Sequence, residues 1–409
     1  MHFAARIDLR AGKSVKGWLM DLSKTQIAIV GGGVAGLAVA LAMHRFGAQV
    51  TVYEQADELT EIGAGLQISP NGVCVLRALG LLPDFDKTPR ARAVSLRDYA
   101  QGREVIRLDL SRLPEDQQYL LVHRADLIEV LARAVRQAGI PVHLGAVVHD
   151  ITEGSPATIT ITSGDVAQAD LVVAADGLHS VLRPHLNPTT QSFFTGQVAW
   201  RAIVPNVTDH PFEAQVHMGP GRHMVSYPLR DGSVVNIVAV EERQAWADDG
   251  WHHQDDPENL RRAFGGFGGG AKPLLQAVEQ VNLWGLHRHP VAKTWVGDGV
   301  ALIGDAAHPT LPFLAQGANM ALEDAWCLAD SLSKAETQKD GVARYQKRRL
   351  QRVPRVIATA NGNAKKFHLS NPLIRRAAHT VLSLGGRFAP DQMLHQFDWL
   401  YGFDVTRQT

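Results

Sequence analysis

Cysteine is nearly absent: Cys74 and Cys327 are the two in 409 residues. Each sits in an apolar, helix-patterned stretch, which reads as two buried thiols and excludes a disulfide scaffold or a cysteine-based metal site. Net charge is missing as well. Forty-one basic residues balance 41 acidic ones, so nothing in the balance attracts nucleic acid or an anionic membrane. Long apolar runs are also lacking, since Gly, Pro or a charge interrupts each one well short of the roughly 20 residues of a membrane span. What remains is 45% hydrophobic and 20% charged, an ordinary globular composition in a chain long enough for two or three domain-sized cores. A reducing, cytoplasmic setting is the expectation.

Residues 1–24 stand apart. Met1 to Lys16 carries Arg6, Arg10, Lys13 and Lys16 without an apolar stretch fit for a secretory signal. The segment reads as a loose extension or an upstream start. A transit segment is the alternative, against which Asp8 and the shortness of the segment speak.

Gln26–Val30 is a β-branched apolar strand, followed by a Gly-rich turn, a helix over Val34–Phe46 and a second strand over Gln49–Tyr53. A helix is expected at Asn71–Leu79, strands across Ser95–Leu110, and an amphipathic helix over Arg124–Ala138 closed by Gly139. Val142–Leu144 is a strand, Val148–Ala169 a small antiparallel excursion, and Leu171–Ala174 a buried strand. From Ser192 to Pro290 the pattern is strands and turns, with a hairpin at Asp231-Gly232 and a Gly-rich stretch at Gly265–Gly270 that reads as mobile. Val300–Ile303 returns as a buried strand, and a long helix runs from Gly317 to Lys334. The expected organisation is α/β. A discontinuous Rossmann-like dinucleotide domain takes 25–90, 120–190 and 291–335. A mixed or antiparallel β-sheet substrate domain takes 91–119 and 191–290. A helical region follows over 336–409.

Gly31, Gly33 and Gly36 form G-x-G-x-x-G between a strand and a helix. Gly31 permits the turn, Gly33 lets backbone approach a pyrophosphate, and Gly36, beside Ala35, lets the helix pack close. Glu54 ends the second strand, placed to accept hydrogen bonds from ribose hydroxyls. This pattern alone does not choose between FAD and NAD. Two further runs do: V-V-A-A-D-G-L-H-S-V-L-R at Val172–Arg183, and I-G-D-A-A-H-P-T-L-P-F-L-A-Q-G-A-N-M-A-L-E-D-A at Ile303–Ala325. With G-A-G-L-Q-I-S-P-N from Gly63, V-H-R-A-D-L from Val122 and F-D-W-L-Y-G-F-D from Phe397, the chain resembles the single-component (group A) FAD-dependent aromatic hydroxylases, in the salicylate-hydroxylase-like branch. The resemblance spans Thr25 to Asp404.

That resemblance implies a p-hydroxybenzoate-hydroxylase-like fold and non-covalent FAD. It also implies NADH or NADPH as transient reductant, and hydroxylation of a small aromatic or N-heteroaromatic substrate by dioxygen through a flavin hydroperoxide. Asp176 of the Asp-Gly motif, Asp305 of the Gly-Asp motif and Arg124 would meet the cofactor. The helix start Gly317-Ala318-Asn319 would face the pyrimidine ring of the flavin, stabilising its reduced anion. On the residues alone, these positions also read as a turn, a helix cap, a surface Arg and an ordinary helix start. His223 and Tyr227, four apart on one strand, share a face and fit a base or proton relay and its hydrogen-bonding partner; they equally fit side chains packed in a sheet. Pro312 to Gln316 would roof the flavin, with Phe313 and Leu314 excluding water and Gln316 a polar contact counted with the catalytic residues. Arg201 fits either a substrate carboxylate or a domain interface, and His308 reads as structural. No metal-ligand cluster, nucleophile elbow or second G-x-G-x-x-G is present. The readings held open are oxidation of a purine, polyprenyl phenol or antibiotic on the same scaffold, an NAD-dependent dehydrogenase, and a non-catalytic flavin-binding module. A monomer and a homodimer both remain open.

Overall fold

The computed structural model describes residues 19–59, 65–243 and 254–408. The basic segment Met1–Lys16 and the Gly63-Ala64 start of one quoted run lie outside them. A six-stranded sheet has the spatial order Val296–Gly297, Val300–Leu302, Leu171–Ala174, Gln26–Val30, Gln49–Tyr53, Val142–His143. Its pairings are parallel except for the 296–302 hairpin. Ile27 to Val30 and Leu171 to Ala174 are buried throughout. These short apolar strands suit a parallel sheet covered on both faces. The helix Val34–Arg45 is enclosed along most of its length because Gly36, Ala38, Ala40 and Ala42 leave room for close neighbours.

An eight-stranded sheet lies beside it, in the order Gln254–Asp255, Val281–Arg288, Phe193–Pro205, Val234–Glu242, Arg222–Leu229, Ala214–Gly219, Ala93–Asp98, Glu104–Asp109. Alternation along its strands separates two faces. Met224, Trp200 and Ile237 pack with Phe264 and Phe267 on one side. Val225, Val238 and Trp284 join Phe313 on the other, and this face looks toward the six-stranded sheet's loops. A two-stranded ribbon, Gly65–Ile68 with Leu120–His123, is clamped against the eight-stranded sheet where the Gly65 amide donates to Asn236 Oδ1 at 2.7 Å.

One expectation is corrected. Gly265–Gly270 is not a loose stretch: the Gly268 amide donates to the Tyr99 carbonyl at 2.8 Å, and a Cβ on Gly268 would lie 2.1 Å from the Ala100 oxygen. Glycine is there because backbone meets backbone, not because the segment must move. Beyond residue 336 the chain is helical, with Gln338–Phe367 lying along Gly317–Ser333 and Pro372–Phe388 along the strand Glu104–Asp109. The closing aromatic run packs on a cation, with the Arg352 guanidinium 3.6 Å from the centre of the Phe403 ring. Both cysteines are free and buried. No helix among the described residues is long and apolar enough to cross a membrane.

Candidate functional site

The three fingerprint glycines sit in different surroundings. Gly31 has φ +104°, and a Cβ there would be 2.5 Å from the Ala175 oxygen. Gly36 lies against Gly31, where a Cβ would approach its carbonyl to 1.9 Å. A Cβ on Gly33 would meet nothing within 4 Å. Gly33 is the N-cap of the helix and offers no side-chain cap. The first N–H groups of the helix therefore face open space, the arrangement that takes phosphate. Ala35 lies under the Gly-Asp turn, 3.1 Å from where a Gly304 Cβ would stand. Glu54 is held at the rim of this cradle, accepting from the Gly32 amide and, at 2.8 Å, from the Ala56 amide.

Asp176 flanks the same turn, its Cα 3.3 Å from the position of a Gly31 Cβ. Its Oδ2 accepts from the Val181 amide at 2.8 Å, and its buried Oδ1 has no hydrogen-bond partner among the described residues. Burial raises its pKa, opposed by hydrogen bonds from Ser180 and Val181.

Asp305 follows a buried strand. Gly304 and Ala306 on either side are buried while Asp305 itself is exposed. Protein nevertheless surrounds the carboxyl closely enough that desolvation raises its pKa, with His308 and Arg124 pulling the other way. An acid that is both open and hemmed in lines a recess. Arg124 faces the same recess, since burial lowers its pKa and Asp305 opposes the shift. The Gly-Asp turn is pinned from behind. The Gly304 amide donates to Asp324 at 2.8 Å, and Arg183 donates to the carbonyls of Ala306 at 2.7 Å and Ala307 at 3.1 Å.

The helix Gly317–Ser333 begins beside the recess, and its N-cap Gln316 makes no side-chain cap bond. Gly317 and Ala318 therefore present uncapped N–H groups, and the side chains of two neighbours turn to protein. Asn319 is committed to protein: Oδ1 accepts from the Ser69 amide at 3.0 Å, and Nδ2 donates to the carbonyls of Gln67 at 2.9 Å and Ala315 at 2.7 Å. The amide of Gln316 is likewise engaged, accepting from Asn71 at 3.0 Å and donating to Ser69 Oγ at 2.9 Å. Both side chains clip the helix start to the Ser69–Asn71 corner; the side-chain amide of Gln316 is spent on protein, while the backbone N–H of Asn319 stays with those of Gly317 and Ala318 at the helix start.

Beneath them lies a buried ionic cluster. Glu323 pairs with Arg349 at 2.6 Å and Arg352 at 2.9 Å, and accepts from Asn71 at 2.7 Å. Asp324 pairs with Arg349 at 2.6 Å and with His308. Burial would raise both acids, but Arg349 and Arg352 around Glu323, and His308 and Arg349 around Asp324, hold them below the usual carboxylate range.

On the sheet side, Tyr227 lies over Gly65, where a Cβ would be 2.5 Å from the ring. Burial raises its phenol pKa, and Arg201 and a hydrogen bond with Gln67 oppose the rise. Burial brings Arg201 down to about 10, opposed by Tyr227 and reinforced by Arg124. The Arg201 guanidinium stands 4.6 Å over the Trp284 ring. His223 is 1% exposed, between Phe313 and Phe367 with ring centres at 5.2 and 5.3 Å. The partner of its Nδ1 is His368 Nε2 at 2.6 Å. Tyr227 is therefore not that partner: four strand positions separate the two by roughly 13 Å. Burial first, and His368 second, push His223 well below the usual histidine range.

Phe313 is buried on the His223 side, and its carbonyl accepts from Asn363 at 3.2 Å; Pro312 and Leu314 flank it half-buried. Residues that sequence reasoning missed are Arg183, Arg349, Arg352, His368 and Glu242. Arg183 was within reach, being the last residue of the Asp-Gly run.

Residues 24–360 match the model of a family described as FAD binding domain. The chain is 33% identical over 393 residues to the 3-amino-4-hydroxybenzoate 2-monooxygenase of Streptomyces platensis, covering 94% of this chain and 97% of that protein. It is 29% identical to the salicylate hydroxylase of Pseudomonas putida, covering 93% of each. Among solved structures, Klebsiella pneumoniae HpxO complexed with FAD and uric acid superposes with a TM-score of 0.81 at 26% identity, over 92% of this chain and 98% of that one.

Proposed function

Since the chain belongs to the FAD binding domain family, has a p-hydroxybenzoate-hydroxylase-like fold and is an FAD-dependent aromatic-ring monooxygenase using NAD(P)H and dioxygen, we propose that its substrate is a small aromatic carboxylate carrying a ring hydroxyl or amino group. The observation that carries this reading is the buried Arg201–Tyr227 pair on the sheet face that looks into the recess of Arg124 and Asp305. A planar guanidinium in low dielectric recognises a carboxylate bidentately, and the phenol of Tyr227 adds a neutral donor. The three named relatives support it in part. Two act on hydroxylated benzoates, and the third is complexed with uric acid, a heteroaromatic ring.

The residues present fit FAD. The Gly31–Gly36 turn and its open helix start would take the pyrophosphate, Glu54 the ribose, Asp305 the ribityl hydroxyls, and the Gly317-Ala318 amides with Arg124 the flavin end. When bound, FAD supplies activated oxygen. The chain's own contribution is to hold, dry and ionise the ring. Arg201 fixes the carboxylate, Phe313, Leu314 and Pro312 exclude water, and His223 Nε2 accepts the proton of the ring hydroxyl, making the ring a better nucleophile. In this reading residues 91–119 and 191–290 form the substrate unit.

The test is a panel of hydroxy- and aminobenzoates, pyridinols and purines, scored by NAD(P)H oxidation and product. Stimulation by aromatic acids, lost in Arg201→Gln through a KM at least ten-fold higher, is expected. A preference for uncharged phenols or purines contradicts the reading.

A further inference from the structure

The buried imidazole of His223 is the near end of a chain of titratable groups. His223 Nδ1 meets His368 Nε2 at 2.6 Å, and His368 Nδ1 meets Glu242 Oε1 at 2.8 Å. The members come from three places: the strand Arg222–Leu229, the C-cap of the helix Gln338–Phe367, and the end of the strand Val234–Glu242. Burial changes along the chain. His223 and His368 have side chains 1% exposed, while that of Glu242 is 51% exposed. One end is dry and the other is wet.

We infer that His368 and Glu242 form a proton relay that carries the ring proton from His223 to solvent and fixes the tautomer in which His223 Nε2 is the base. The inference rests on the reading of His223 as the acceptor of that proton. The carboxylate of Glu242 accepts only, so His368 carries its hydrogen on Nδ1 and offers a bare Nε2. That bare nitrogen accepts from His223 Nδ1–H, which leaves the lone pair of His223 on Nε2. Each transfer then moves one proton. The ring O–H bond breaks as His223 Nε2–H forms, His223 Nδ1–H passes to His368 Nε2, and His368 Nδ1–H passes to Glu242, which returns it to water. Both imidazoles end neutral in the opposite tautomer; they reset after hydroxylation, when Glu242 takes a proton from water, the shift runs back through His368, and His223 Nε2–H passes to the phenolate oxygen of the departing product.

The surroundings favour passage over storage. His223 is flanked by Phe313 and Phe367, which cannot stabilise an imidazolium through hydrogen bonds. The charged neighbour of His368 besides Glu242 is Arg222, which disfavours a second cation and is itself paired with Glu241 at 3.2 Å. The Gly221 amide donates to the His368 carbonyl at 3.1 Å and the Glu242 amide to the Gly221 carbonyl at 2.9 Å, so backbone holds the hairpin turn between the relay's last two members. Arg375, on the following helix, is bonded to the Leu369 carbonyl at 3.0 Å.

The test uses the FAD-loaded enzyme with 4-hydroxy-3-nitrobenzoate, a ring acid whose phenolate absorbs visible light. Glu242→Gln keeps shape at a half-exposed position but cannot take up a proton. We expect it to raise the pH at which the bound probe ionises and to slow turnover on the order of ten-fold in dilute buffer. Flavin bleaching by NAD(P)H in the absence of a ring should be unaltered. Small carboxylic acid buffers should restore turnover to Glu242→Ala, and Glu242→Asp should keep the parent's pH profile. His223→Ala separates the two claims. If it abolishes probe ionisation while Glu242→Gln and His368→Gln leave it and the pH profile unmoved, the relay is wrong and the base stands. If His223→Ala changes nothing, or the probe does not bind, the reading beneath the relay falls as well.

Discussion

At the scale of single residues, Asp305 would carry the cofactor side of the site and Arg201 the substrate side. Asp305 is an acid in a recess, its pKa already raised by burial, so a ribityl hydroxyl donating to it replaces lost water. Asp305→Ala should weaken FAD binding about ten- to a hundred-fold, the worth of roughly 1.5–3 kcal/mol in charge-assisted bonds, with no loss of thermal stability in the FAD-free protein. Equal FAD affinity by fluorescence titration would remove Asp305 from the site. The glycines, Glu54 and Asp305 could be picked out from sequence because each occupies a fixed place relative to a strand and a helix. The side-chain partners of Gln316 and Asn319 could not be read in the same way. Their neighbours in sequence point at the recess, but their amides turn to Ser69, Asn71 and Gln67, some 250 positions earlier. His368 lay beyond reach for the same reason, since it meets His223 from 145 positions away.

At the scale of elements, the helix Gly317–Ser333 is anchored to Gln338–Phe367 by Glu323 and Asp324 against Arg349 and Arg352. That cluster also holds Gly304 and Asn71, so it positions both the Gly-Asp turn and the corner beneath the helix start. Glu323→Gln leaves two guanidiniums buried against less charge and should cost about 3–5 kcal/mol, read as a lower urea midpoint. The pH dependence has a definite sign. Both acids have folded-state pKa values below their ordinary ones. Their contribution is therefore complete above the usual carboxylate range, roughly pH 4 to 5, and is lost as pH falls through the depressed values. Denaturation of the parent should become easier on acidification below about pH 4, and less steeply so in Glu323→Gln. An identical slope in the two proteins would contradict this. The long periodic helices were readable to within a residue or two, as with Val34–Arg45 and Arg124–Gln137, but the short helices Pro257–Ala263 and Ala271–Gln276 fall in the stretch read as strands and turns. Nor was the packing of the Gly265–Gly270 stretch readable, because its partner is the distant turn at Tyr99–Gly102.

At the scale of the whole molecule, the recess is assembled from both sheets. Arg124 and Asp305 come from the six-stranded side and Arg201 and Tyr227 from the eight-stranded one, with Arg124 felt by both Asp305 and Arg201; His223 shares the strand of Tyr227 and lies against Phe313, Phe367 and His368. In the proposed reading, a ring held between them would share the enclosure of the cofactor, and its carboxylate would alter the charge at the flavin end. Substrate binding should therefore accelerate flavin reduction as well as provide the ring to be oxidised. The most direct measurement is product analysis under labelled dioxygen, with an aromatic acid that stimulates NAD(P)H oxidation. The account predicts one labelled oxygen per ring, no label from water, and anaerobic flavin bleaching that is slow alone and at least ten-fold faster with the acid. Unlabelled product, or bleaching at the same rate with every ring tried, would contradict it.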